Sequence, residues 1–93
     1  MIIAVDIDNT ICKEQKEWWL YDEGIPIPGN IEKINKLFEE EHTIVYYSSR
    51  FEEDREVTEK WLKRNGAKFH RLVLGKLRAD LYIDNDSKRI NEI

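Results

Sequence analysis

Four short apolar runs punctuate the chain: Ile2 to Val5, Thr43 to Tyr47, Leu72 to Leu74 and Leu81 to Ile83. Their apolarity is continuous rather than alternating, which is the pattern of strands covered on both faces. After the turn sequence Pro26-Ile27-Pro28-Gly29-Asn30, the residues Ile31, Ile34, Leu37 and Phe38 recur at helical spacing, with Asn30 placed to serve as N-cap. A second helix is predicted over Glu52 to Asn65, where Val57, Trp61 and Leu62 form one stripe. It has acids in its first turn and Gly66 just past its end, which suit the macrodipole and a C-cap. The order strand, long loop, helix, strand, helix, strand, short link, strand predicts parallel pairing through right-handed crossovers. That is a small doubly wound, Rossmann-like α/β domain.

At 93 residues the chain has room for a single domain, residues 1–93, with one core and no second lobe. The opening apolar run is cut at Asp6, short of the ~18 residues of a membrane span and the roughly 7–15 of a signal core. Cys12 is the lone cysteine, so no internal disulfide forms, and a cytoplasmic, reducing setting is expected. The formal net charge of −4 argues against a broad nucleic-acid surface. Local asymmetry leaves an anion site open, because Lys60 to Lys76 is rich in Lys, Arg and His.

Ligands of an open parallel sheet bind beyond the carboxyl ends of its strands. The polar residues there are Asp6-Ile7-Asp8-Asn9-Thr10, Ser48-Ser49-Arg50 and Asp84-Asn85-Asp86, with Lys76 in the link before the last run. Grouped carboxylates repel unless a cation neutralises them, and oxygen-only ligands select a hard ion such as Mg²⁺. A serine hydroxyl and the Lys76 ammonium suit the remaining oxygens of a phosphate. Asp6 is then a candidate nucleophile at phosphorus, and Asp8 a candidate proton donor to the leaving oxygen. Arg50 is read either as a bidentate contact to substrate anion or as an ion pair to the acids at Glu52 to Asp54. Residues 11–29 form the one long irregular stretch, and their Trp18 and Trp19 either stack on substrate or pack the loop. His42, His70 and Cys12 are read as structural, and Lys60, Lys63 and Arg64 as a solvated face.

The sequence Asp6-Ile7-Asp8-Asn9-Thr10, followed in order by Ser48, Lys76 and Asp84, resembles the four motifs of the haloacid dehalogenase (HAD) superfamily of phosphotransferases, over nearly the whole chain. Ser48-Ser49-Arg50 and the stretch from Gly75 to Asp84 resemble its small capless members, which act on sugar phosphates or in capsule biosynthesis. The resemblance implies Asp6 as nucleophile, Asp8 as general acid and base, and Ser48 and Lys76 as phosphate ligands. It also implies Mg²⁺ held by Asp6, Asp84 and the backbone carbonyl of Asp8. Asn85 interrupts the paired acids of many relatives, which leaves Asp86 to act through water. Ser48 is favoured over Ser49 because it directly follows the apolar run. No insertion is long enough for a cap domain, so the site is open or is closed by a second subunit in a homo-oligomer.

The reading is therefore a Mg²⁺-dependent phosphomonoesterase for small phosphorylated metabolites. Two alternatives compete with it. A polynucleotide 3′-end phosphatase conflicts with the acidic balance. A phospho-accepting receiver or binding module would not need the second acid at Asp8.

Overall fold

The computed structural model describes residues 1–14 and 23–93. Three parallel strands, β1 (Ile2–Val5), β2 (Thr43–Tyr47) and β3 (Arg71–Val73), form a sheet in the order β1-β2-β3. Helix α1 (Asn30–Glu39) connects the first pair and α2 (Arg55–Arg64), entered through a 3₁₀ turn at Glu52–Asp54, the second. The expected α/β class with a parallel sheet is what the chain adopts.

Register explains which residues meet in the core. Ile3 lies opposite Ile44, Val5 opposite Tyr46, and Tyr46 opposite Leu72, so one sheet face carries this set. Ile31 and Ile34 of α1 and Trp61 and Leu62 of α2 are buried in the same cluster. Each such side chain contributes about 1.5–3 kcal/mol of burial. Tyr46 is fully buried, its ring set edge-on to Phe69, and its hydroxyl has no hydrogen-bond partner among the described residues.

The α2 stripe runs one residue later than the sequence suggests. Thr58, Trp61 and Leu62 are buried at i, i+3 and i+4, while Val57 is half-buried. At α1 the capping position is Gly29, and Asn30 is the first helical residue. The Asn30 side chain instead donates to the Thr10 carbonyl at 2.7 Å, tying the helix start to the loop after β1.

Two expectations about the strands need correction. The opposite sheet face is not covered by the described residues: Ile2 is 78% exposed, Ala4 is exposed, and Val45 and Tyr47 are half-buried. The run Leu81 to Ile83 forms no fourth strand, and β1 pairs with β2 alone. The link folds on itself, because the Tyr82 hydroxyl donates to the Leu77 carbonyl and accepts from the Ala79 N–H. Local hydrogen bonds within five residues thereby replace a ladder for a run only three residues long.

His70 accepts from the Ile44 N–H at 3.0 Å and stacks on Phe38, and His42 meets the N-terminal amine, so both are structural. No helix among the described residues is long and apolar enough to cross a membrane.

Candidate active site

The chain leaves β1 in a tight knot of backbone hydrogen bonds. The Ile7 carbonyl accepts from the N–H groups of Thr10, Ile11 and Cys12, and the Asn9 N–H donates to Cys12 at 2.7 Å. Asn9 sits at φ 64, in the left-handed region that asparagine tolerates better than most residues. Bridges from Cys12 to Asp8 and to Pro26 close the base of the long loop. Ile7, Ile11 and Cys12 point inward and are fully buried. Asp6 and Asp8, alternating with buried Ile7, are left half-buried.

Asp6 accepts from the Ile7 N–H through Oδ1 at 2.8 Å, and its Oδ2 lies 3.8 Å from Lys76 Nζ. Burial raises its pKa above the ordinary carboxylate value, and the neighbouring Asp8 charge adds to this. The Ile7 hydrogen bond and the positive charges of Lys76 and Arg50 act the other way.

Lys76 reaches Asp6 because its backbone is pinned to the end of β2. Its N–H donates to the Ser48 carbonyl at 2.9 Å, and the Gly75 N–H to the Arg50 carbonyl at 3.0 Å. Gly75 takes φ 83, a conformation that costs a residue without a Cβ nothing. The Lys76 ammonium lies 4.1 Å from the Tyr82 ring centroid and 5.3 Å from that of Tyr47. Both are within cation–π range.

Ser48 is fully buried, and its hydroxyl accepts from the Arg50 N–H at 3.1 Å. Ser49 is half-buried and therefore the more accessible hydroxyl.

Arg50 does something neither sequence reading anticipated. Its guanidinium, 1% exposed, grips Asp8 with both prongs, Nη2 to Oδ1 at 2.8 Å and Nε to Oδ2 at 3.1 Å. The remaining nitrogen, Nη1, donates to Thr58 Oγ1 at 3.0 Å. Of the acids after Arg50, Glu52 is engaged by Arg55. The Cys12 thiol donates to the Lys13 carbonyl at 3.3 Å and feels the Arg50 charge. Burial pushes its pKa up, against the pull of that cation. A signal for Thr58 existed in the sequence, as the one hydroxyl in line with Trp61 and Leu62. The Tyr47 and Tyr82 rings around Lys76 left none.

Asp84 and Asp86 belong to an exposed turn, where Asp84 Oδ1 accepts from the Asp86 N–H and its carbonyl from the Ser87 hydroxyl. The structure thus brings Asp6, Asp8, Ser48, Ser49, Arg50 and Lys76 to one sheet edge and, among the described residues, gathers no third acid with them. Among the described residues, no group of three or more His, Cys, Asp or Glu is arranged to hold a metal ion. The two carboxylates have the oxygen chemistry Mg²⁺ requires, but do not by themselves complete a site for it. Trp18 and Trp19 lie outside the described residues.

Two solved structures share this α/β architecture. A structural-genomics target from Vibrio cholerae matches with a TM-score of 0.83 at 20% identity, over 98% of this chain and 85% of that chain. D,D-heptose 1,7-bisphosphate phosphatase from B. bronchiseptica, crystallised with magnesium and phosphate, matches with a TM-score of 0.64 at 17% identity. That match covers 85% of this chain and 51% of the phosphatase, so the chain spans about half of that protein's length. The likeness is one of fold. No family model matches the sequence, and no curated protein does.

Proposed function

We propose that the chain is a phosphomonoesterase that works through an aspartyl phosphate on Asp6. The observation that carries this is the convergence of three strand ends: Asp6 and Asp8 after β1, the Ser48 to Arg50 turn after β2, and Lys76 after β3, with Lys76 Nζ 3.8 Å from Asp6. A partly desolvated carboxylate beside an ammonium suits attack on an anionic phosphorus, because the cation offsets the charge of the incoming phosphate.

The Asp6 oxygen on the Lys76 side forms a bond to phosphorus as the ester P–O bond breaks. The leaving oxygen takes a proton from Asp8. Water then attacks the aspartyl phosphate, Asp8 takes up the water's proton, and Asp6 is released with inorganic phosphate. Lys76 and a serine hydroxyl of the β2 turn hold the other phosphate oxygens. Ser49 suits this by its exposure, whereas the Ser48 oxygen already accepts from the Arg50 backbone.

Mg²⁺ dependence belongs to the proposal, with Asp6 and the Asp8 carbonyl as the ligands the sheet edge supplies; the resemblance adds Asp84, which the structure leaves in an exposed turn and does not gather with them. It is supported by the oxygen donors present and by the magnesium and phosphate in the B. bronchiseptica phosphatase. A bound Mg²⁺ would neutralise phosphate charge.

The proposed substrates are small phosphorylated metabolites such as sugar phosphates, because the formal charge of −4 gives no electrostatic hold on a polynucleotide. The test is phosphate release from a broad panel of phosphomonoesters, with and without Mg²⁺. Turnover of sugar phosphates that requires the metal is expected. Preference for oligonucleotide 3′-phosphates would overturn the substrate class.

A further inference from the structure

Arg50 is the most buried charged side chain of the site, and its guanidinium bonds Asp8 and Thr58 of the protein itself. A guanidinium fork on a carboxylate occupies one lone pair on each oxygen and leaves the other pair of each open. Asp8 so held is fixed in orientation, with one lone pair of each oxygen directed away from the fork. The fork itself is fixed by Thr58, a buried residue of α2, and by the turn in which Ser48 receives the Arg50 N–H. The turn after β2 and helix α2 thereby determine where one carboxylate points.

We propose that Arg50 is the positioning residue for Asp8, aiming its free lone pairs at the leaving oxygen through a two-pronged grip anchored on Thr58, rather than a ligand of the substrate. The inference rests on the proposed role of Asp8 as the proton-transfer group. It departs from the expectation that an arginine after β2 reads the substrate anion, since 1% exposure and bonds to Asp8 and Thr58 leave this guanidinium turned inward.

The test compares a hexose phosphate, whose alkoxide leaving group needs a proton, with nitrophenyl phosphate, whose leaving group does not. Arg50→Lys keeps the charge but loses the fork, and Thr58→Val keeps the fork but loses its anchor. General acid–base catalysis is typically worth ~10²–10⁴-fold, so Arg50→Lys is expected to lower kcat on the hexose phosphate by roughly 10-fold or more. Thr58→Val should lower it less, and for both variants the nitrophenyl rate should fall by a smaller factor with KM little changed. In an Asp8→Asn background, Arg50→Lys should cost little more. A raised KM at constant kcat would identify Arg50 as a substrate ligand and overturn the proposal, as would equal kcat losses on both substrates.

A second measurement needs no activity. Urea midpoints of Arg50→Met, Asp8→Asn and the double variant should be non-additive, the double losing less than the sum. Additive shifts would overturn the grip itself. A wild-type protein silent on both substrates would instead overturn the phosphatase reading on which the inference rests.

Discussion

Asp6 carries opposing influences whose balance sets its cost to the fold. Burial raises its folded-state pKa, so a proton binds the folded chain more tightly than the unfolded one. Stability is then greatest below the ordinary carboxylate value and declines as pH rises through the elevated one. Asp6→Asn is expected to raise the melting temperature at neutral pH, with the gain shrinking as the solution is acidified past the usual carboxylate range. Melting curves of both proteins across pH check this, and a variant less stable than wild type at neutral pH would contradict it. Tyr46 makes a second residue-scale case. A buried hydroxyl without a partner costs about 1–3 kcal/mol, so Tyr46→Phe should raise unfolding stability by about 1 kcal/mol in urea titrations. A loss of stability would show that the hydroxyl is hydrogen-bonded in solution.

Among the elements, the loop after β1 shows how packing and site are joined. The Trp61 indole N–H donates to the Gly24 carbonyl at 2.7 Å, and a Cβ at Gly24 would fall 2.8 Å from Cys12 Sγ and 2.9 Å from Trp61 Nε1. Both neighbours are fully buried. Gly24→Ala should therefore destabilise by about 1–3 kcal/mol, the usual cost of overpacking, read as a lower urea midpoint. An unchanged midpoint would mean that the loop base yields freely. The strands and helices that built this sheet were legible in the sequence because Ile44, Ile34, Trp61 and their neighbours repeat at the strand and helix periods. The fate of Leu81 to Ile83 was not. Three apolar residues read alike in a ladder and in an exposed link, and the Tyr82 hydroxyl bonds that decide between them have no periodic signature.

For the molecule as a whole, the site is a matter of which chain segments meet. The spacing of Asp6, Asp8, Ser48, Arg50 and Lys76 along the sequence pointed to one sheet edge, and the structure gathers them there. The roles within that gathering were less legible. Residue type alone does not distinguish an arginine that faces substrate from one sealed against Asp8 and Thr58, nor an exposed serine from its buried neighbour. Asp84 tests the metal side of the proposal. Asp84→Ala is expected to raise the Mg²⁺ needed for half-maximal phosphate release by more than Asp86→Ala does, and the reverse order would move the metal role to Asp86.

Phosphorylation of Asp6 during turnover is tested by phosphate release from one phosphomonoester by purified wild-type and Asp6→Asn proteins. Both should be folded by circular dichroism. Steady release is expected from the wild type and none above background from the amide variant, which keeps the shape of the side chain but cannot form the acyl phosphate. Release by Asp6→Asn at near the wild-type rate would contradict phosphorylation of Asp6.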